Sequence, residues 1–233
     1  MNAGKLAFCQ LSIFASAPAG HAQSLQAQQS AAVASTNARV AQAMAFSAER
    51  PPVIDGRDDD PIWKTATPIR GFRVFDPKED GDPALLTEAK IGYDSENLYV
   101  FTRMFDPHPD SIVSLLSRRD VKTQSEQVKL MIDSYHDRRT GYEFAVNPAG
   151  VKRDFYTYDD SREDITWDAV WDVATRIDSL GWTAEFRIPL SQIRYPHAED
   201  HTFGLMIMRD VVRTSERYSR DVRPEDISIS IVS

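Results

Sequence analysis

From Pro51 onward the chain is written in short runs where apolar and polar residues alternate, each run closed by Gly, Pro, Asp or Asn. A period of two belongs to a strand with one buried face, and it excludes the 3.6-residue repeat of a packed helix. The clearest run is Leu98-Tyr99-Val100-Phe101-Thr102-Arg103-Met104-Phe105, introduced by the turn-forming Asp94-Ser95-Glu96-Asn97. Val128/Leu130/Ile132, Tyr142/Phe144/Val146, Trp182/Ala184/Phe186/Ile188 and Phe203/Leu205/Ile207 repeat the pattern. Asn147-Pro148-Ala149-Gly150 reads as a hairpin loop between strands at 142–146 and 151–158. About nine or ten strands, spaced by roughly 8–12 residues, predict an all-β antiparallel sandwich. The one helical stretch is short, 110–116, with Asp110 or Ser111 as its N-cap.

The start of the chain obeys different rules. Between Lys5 and Arg39 there is no Lys, Arg, Asp or Glu. A basic residue, an apolar stretch from Leu6 to Phe14 and a small-residue run ending Ala-Gly-His-Ala predict a secretory signal peptide over 1–22. Cys9 lies inside it, and Phe8 before that cysteine excludes a lipidation site. Cleavage would leave a mature chain without cysteine, suited to an oxidising compartment. Residues 23–45 are rich in Gln, Ala and Ser and cannot bury enough surface to offset their ordering entropy, so they read as a disordered linker. A loose Ala-rich helix is the alternative there. No apolar run is long enough to span a bilayer as a helix. The expected location is secreted, periplasmic or outer-membrane associated.

Charge narrows the partners. With 27 Lys and Arg against 35 Asp and Glu the net charge is −8, which argues against a nucleic-acid partner and against anionic lipid. A single cysteine excludes a disulfide framework and any multi-cysteine metal site. The chain is expected to be a monomer.

Candidate chemistry is sparse. No Gly-x-Ser-x-Gly elbow, phosphate loop or Gly-x-Gly-x-x-Gly fingerprint is present. His197 and His201 would share a helix face, yet they follow Pro196 and lack the Glu of a metalloprotease motif, so a solvated loop is the reading. Glu185 sits mid-strand among apolar neighbours and is a candidate carboxylate for glycoside chemistry; the alternative is a solvent-facing residue paired with Arg187. Asp58-Asp59-Asp60, 76–82 and 159–164 crowd the oxygen ligands that Ca²⁺ prefers, without EF-hand spacing, and a solvated acidic surface is the alternative.

The four tryptophans say most. Aromatic planes stack on the apolar face of a sugar ring while amide, carboxylate and guanidinium groups bond its hydroxyls. Trp182 alternates with core residues, and Trp63 reads as a packing plug. Trp167 and Trp171, in Trp167-Asp168-Ala169-Val170-Trp171-Asp172, flank a strand start and are the stacking candidates, with core packing as the alternative.

Several segments together resemble carbohydrate-binding module family 9. They are Pro52-Val53-Ile54-Asp55-Gly56 with Asp58, Asp60 and Trp63, Tyr93-Asp94 with Asn97-Leu98-Tyr99-Val100, the run Tyr142 to Val151 after Asp133, and Gly181-Trp182-Thr183-Ala184-Glu185-Phe186-Arg187-Ile188-Pro189-Leu190. Arg118-Arg119-Asp120, Asp133 to Thr140 and Trp167 to Trp171 are similar to the version that precedes TonB-receptor-like outer-membrane β-barrels of unassigned function. The resemblance implies a jelly-roll-like sandwich over 46–212, non-catalytic sugar binding, structural Ca²⁺ and a link to polysaccharide breakdown. Trp167 and Trp171 would then stack on the sugar, and Arg118, Arg119, Asp133, Asn147 and Glu185 would bond its hydroxyls. Ion pairing for the arginines and turn capping for Asp133 and Asn147 are the competing roles. A periplasmic interaction module that docks on its barrel is the alternative function, and an O-glycosyl hydrolase a third. The barrel-linked family continues beyond this chain, so 213–233 reads as a tail left by truncation or a frameshift.

Overall fold

The computed structural model of the chain describes residues 46–47, 50–159, 162–196, 200–222 and 228–230. The expected signal peptide (1–22), the linker up to residue 45, His197 and the end of the chain after residue 230 lie outside the described residues. Two sheets carry the fold. One has five strands in the order β1 (Phe46–Ser47), β3 (Thr87–Tyr93), β4 (Asn97–Phe105), β10 (Gly181–Pro189) and β9 (Asp172–Asp178). The other has seven: β2 (Arg73–Asp76), β13 (Glu216–Val222), β12 (Gly204–Val211), β5 (Gln127–Asp133), β6 (Gly141–Val146), β7 (Lys152–Tyr158) and β8 (Arg162–Asp164). β11 (Asp200–Thr202) and β14 (Ser228–Ser230) pair separately. Apart from the parallel β1–β3 pair, the strand pairs are antiparallel.

Alternation sets which face is buried. Val128, Leu130 and Ile132 of β5 and Leu205 and Ile207 of β12 meet Val100, Met104, Trp182, Ala184, Phe186 and Ile188 of the opposite sheet in one core. Their neighbours along β5, Lys129 and Met131, stay half-exposed on the other face. β4 and β10 break the alternation because both their faces are covered. The second cover is a short helix, α1 (Pro61–Thr65), whose Ile62 and Trp63 form a small cluster with Tyr99, Phe101 and Ala66, packed by Ile54. Pro61 sits at the first turn, where its missing N–H costs nothing, and Pro68 prevents the helix from running on. Burying Trp63 contributes roughly 2–3 kcal/mol. Gly181 is obligatory at its site: φ is +133°, and a Cβ there would lie 2.1 Å from the Met104 carbonyl oxygen.

Two expectations change. The stretch 110–116 is a single 3-10 turn, Pro109–Ser111, followed by extended chain. The Ser125 hydroxyl donates to the Val113 carbonyl and accepts from the Leu115 N–H, and Glu126 N–H donates to the same carbonyl, so side-chain bonding holds 113–115 out of a helix. The sandwich also does not stop at 212. Residues 216–222 of the expected tail form β13, which pairs with β12 from Val211↔Glu216 to Leu205↔Val222 and with β2 on its other side. Tyr218 is fully buried in the core.

Candidate functional site

The sequence motifs converge on Asp154, a buried residue of β7. Its Oδ1 accepts from the Arg119 guanidinium at 2.6 Å and from Trp171 Nε1 at 3.1 Å, and its Oδ2 accepts from the Ala169 N–H at 2.7 Å. Asp154 N–H in turn donates to Asp120. Arg119 also donates to the Ala169 carbonyl and pairs with Asp168 at 2.6 Å. Burial disfavours the Arg119 charge, yet the surrounding carboxylates outweigh it and hold its pKa above the ordinary value. Arg118-Arg119-Asp120 and Trp167 to Trp171 are thus two halves of one structural junction.

This arrangement corrects the reading of Trp171 as a sugar-stacking residue. It is 1% exposed, stacked on Phe186 at 5.8 Å and edge-on to Phe144 at 5.4 Å. The Lys152 ammonium lies 4.9 Å from its ring centroid and donates to its carbonyl. No face remains for a ligand.

Glu185 is likewise occupied. It is fully buried beneath the N-terminal segment and accepts from Asp55 N–H at 3.0 Å, Gly56 N–H at 2.8 Å and Trp63 Nε1 at 2.8 Å. Burial pushes its pKa up, and these three donors pull it back without cancelling the rise. Thr183 on the same face donates to the Gly56 carbonyl. The Ile54-Asp55-Gly56 turn needs its glycine, because φ at Gly56 is +79° and a Cβ would press within 3.0 Å of the Arg176 side chain. Glu185 therefore clamps the N-terminal segment to β10 and is closed to sugar hydroxyls.

Asn147 is buried and closes the hairpin loop after β6: its amide donates to the Leu115 carbonyl, and its Oδ1 accepts from Ala149 and Val151 N–H. Asp133 accepts from the N–H groups of Asp137 and Arg138, bracing a loop in which His136 and Arg138 both have positive φ. Arg118 is exposed on a turn and is not among the residues lining the groove described next. Of the seven residues that the sequence points to, Trp167 is the one that lines the open space beside the braced loop.

That space is a groove of about 480 Å³ beside the braced loop. Trp167, Tyr142 and Tyr156 form one wall, with ring centroids 4.9 Å apart for Trp167–Tyr142 and 5.1 Å for Tyr142–Tyr156. Tyr158 continues the row, stacked on Tyr156 at 6.4 Å. Phe144 supports Trp167 edge-on from the core side. Tyr135, nearly half exposed, stands on the loop opposite. Polar groups converge from two directions: Asp137 and Thr140 from the loop, Gln192 and Arg194 from the chain after β10. The backbone of Arg194 is pinned, its N–H donating to Tyr142 Oη and its carbonyl accepting from Ser134 Oγ. Gln192 accepts from the Val170 N–H at 2.8 Å and so ties this chain to the Trp167 segment.

Sequence reasoning missed Tyr142, Tyr156, Gln192 and Arg194. A signal was present: Tyr142, Tyr156 and Tyr158 occupy inward positions where a closed core would carry Leu or Val, and tyrosine there marks a boundary with one wet side. The acidic loops engage cationic side chains and backbone N–H groups of the chain itself. Among the described residues no three His, Cys, Asp or Glu side chains converge on a metal-sized site. Asp80 and Asp82 engage Arg73, Asp76 engages Arg217, Asp60 accepts from the Val53 N–H and Asp164 from Thr166.

A two-sheet sandwich with an aromatic, solvent-open groove defines a ligand-binding β-module. The family model described as carbohydrate family 9 binding domain-like matches residues 54–222, and the chain belongs to that family, whose modules are non-catalytic. The chain is 24% identical over 180 residues to endo-1,4-beta-xylanase C of Paenibacillus barcinonensis, a match covering 72% of this chain and 14% of that protein. It therefore spans about one-seventh of the length of that relative. A Bacteroides uniformis crystal structure has the same fold, with a TM-score of 0.51 at 11% identity over 70% of this chain and 82% of that one. A family 9 module of Caldicellulosiruptor kristjanssonii in complex with cellotriose aligns with a TM-score of 0.48 at 21% identity, over 77% and 83% of the two chains.

Proposed function

We propose that the Trp167–Tyr142–Tyr156 groove is a carbohydrate-binding site and that the chain acts without catalysis, holding a glycan. The observation that carries this is the half-open aromatic wall beside pinned polar groups in a space sized for one or two sugar rings. Pyranose rings present C–H faces that stack on such a wall, while their hydroxyls need the hydrogen-bonding partners that Gln192, Arg194, Asp137 and Thr140 bring. The xylanase relative makes β-1,4-linked xylan the first polymer to try. Secretion into the periplasm or beyond is part of the same proposal, supported by the charge-free stretch between Lys5 and Arg39. Service beside an outer-membrane β-barrel is supported by resemblance alone.

The test is a pull-down of the full chain on insoluble xylan and cellulose, with a glycan array in parallel. Retention that soluble xylo- or cello-oligosaccharides compete away supports the reading. Silence on every glycan by a folded chain sinks it and favours a protein-docking module.

A further inference from the structure

The two sides of the groove offer different hydrogen-bonding groups. Asp137 already accepts from the N–H groups of Arg139 and Thr140 and from the Thr140 hydroxyl, so its carboxylate is largely spent on its own loop. The Gln192 carbonyl oxygen is taken by Val170, which leaves the amide N–H groups to face outward. Tyr142 Oη already accepts from the Arg194 N–H, leaving its O–H free to donate. Arg194 is exposed and lines the groove, and among the described residues its guanidinium has no hydrogen bond or ion pair. On the side of the chain after β10 what remains on offer is a set of donors, one of them a full positive charge. The acceptors left to a ligand, the Tyr135, Tyr156 and Thr140 oxygens and what Asp137 has spare, lie elsewhere on the groove walls.

A neutral sugar hydroxyl both donates and accepts, and the remaining oxygens of the groove serve it without calling on a full positive charge. A carboxylate only accepts, and a guanidinium meets it with two parallel N–H bonds. The net charge of −8 gives the chain an unfavourable field for anions, so an anionic ligand requires a local cation of this kind. We infer that the groove selects a glycan bearing a carboxylate, a uronic acid residue, whose ring stacks on Trp167 and Tyr142 and whose carboxylate meets Arg194. The inference rests on the carbohydrate reading above and names the ligand class of the same site.

Isothermal titration of the full chain with xylotriose and with xylotriose carrying a 4-O-methylglucuronic acid branch separates the two ideas. The acidic sugar should bind about tenfold more tightly at low salt, the size expected of one charge-assisted pair, and the ratio should shrink in 0.5 M NaCl. Arg194→Gln should bring the ratio close to one, and Arg194→Lys should retain part of it, because the charge survives while the fork is lost. Equal binding of both sugars by the wild type overturns the uronate inference and leaves the carbohydrate reading standing. So does a ratio that survives in Arg194→Gln. Binding of neither sugar overturns the inference as well, and the glycan array then decides the carbohydrate reading by itself.

Discussion

Trp167 and Trp171 stand four residues apart in one segment and end in opposite situations. Trp171 is closed off between Phe144, Phe186 and Lys152, with its indole N–H spent on Asp154. Trp167 shares Phe144 as a support but turns its other side to a groove. Both belong to the same recognisable motif. The contrast shows that a motif can record the junction that holds a segment in place, while most residues lining the groove beside it belong to other segments.

The sharpest way to break this contrast is to truncate both tryptophans. Trp171→Ala should cost about 4 kcal/mol of stability, the usual penalty for emptying a tryptophan from a packed core, with Asp154 and Lys152 losing a partner as well. Chemical denaturation reads it. A loss below about 1 kcal/mol would show that the junction is looser than its contacts imply.

A second pair of residues makes a similar comparison, this time between buried carboxylates. Glu185 has three donors, whereas Glu143 on the outward phase of β6 has an Oε1 that no group bonds. Burial pushes Glu143 up to about 7 against the pull of Lys129 and Arg153. Its folded pKa lies above the ordinary 4.5, so the folded state holds the proton through that interval and stability falls as pH rises from about 4.5 to about 7. The full effect is about 3 kcal/mol at pH 8. Glu143→Gln should abolish that slope, matching the wild type near pH 4 and exceeding it near pH 8. Parallel wild-type and variant curves would refute the assignment.

Trp167→Ala should reverse the profile of its neighbour. Half-buried, it should cost only about 1–2 kcal/mol of stability, while retention on xylan should drop at least tenfold, as expected when an aromatic anchor is removed. A variant that keeps full retention would move the binding surface elsewhere.

How much of this was legible follows from where the alternation held. β5 and β12 bury one face with a clean period of two. Tyr142/Phe144/Val146 of β6 and Trp182/Ala184/Phe186/Ile188 of β10 carry the same period in sequence although both faces of those strands are covered, and the sandwich follows from all four. β13 did not, because its inward positions include Arg220, which pairs across to Ile207, beside Tyr218 facing the buried Arg209. A charged side chain at a core-facing position erases the pattern that strand recognition depends on. Asp154 was invisible for a related reason. It sits at an inward position opposite Phe144, and only long-range pairing reveals that Arg119, Ala169 and Trp171 need it there. The groove was legible in one residue, Trp167. Its other wall members come from β6 and β7, and its polar members from the loop before β6 and the chain after β10, segments that no local spacing relates.

The smallest test separates the wall from its pin. Tyr142 contributes a ring to the wall and a hydroxyl that accepts the Arg194 N–H at 3.2 Å. Burial pushes that phenol above its ordinary pKa, so it remains protonated throughout the physiological range. Tyr142→Phe keeps the ring and removes the hydroxyl. Because the freed N–H lies where water can reach it, stability should fall by no more than about 1 kcal/mol. Affinity for xylotriose should fall a few-fold, since Arg194 would then be held by Ser134 alone and its guanidinium would wander. An unchanged affinity would show that the aromatic wall suffices and that the pinned chain after β10 adds nothing. A loss as large as that of Trp167→Ala would instead make the pin, and not the stacking plane, the feature that sets the two tryptophans apart.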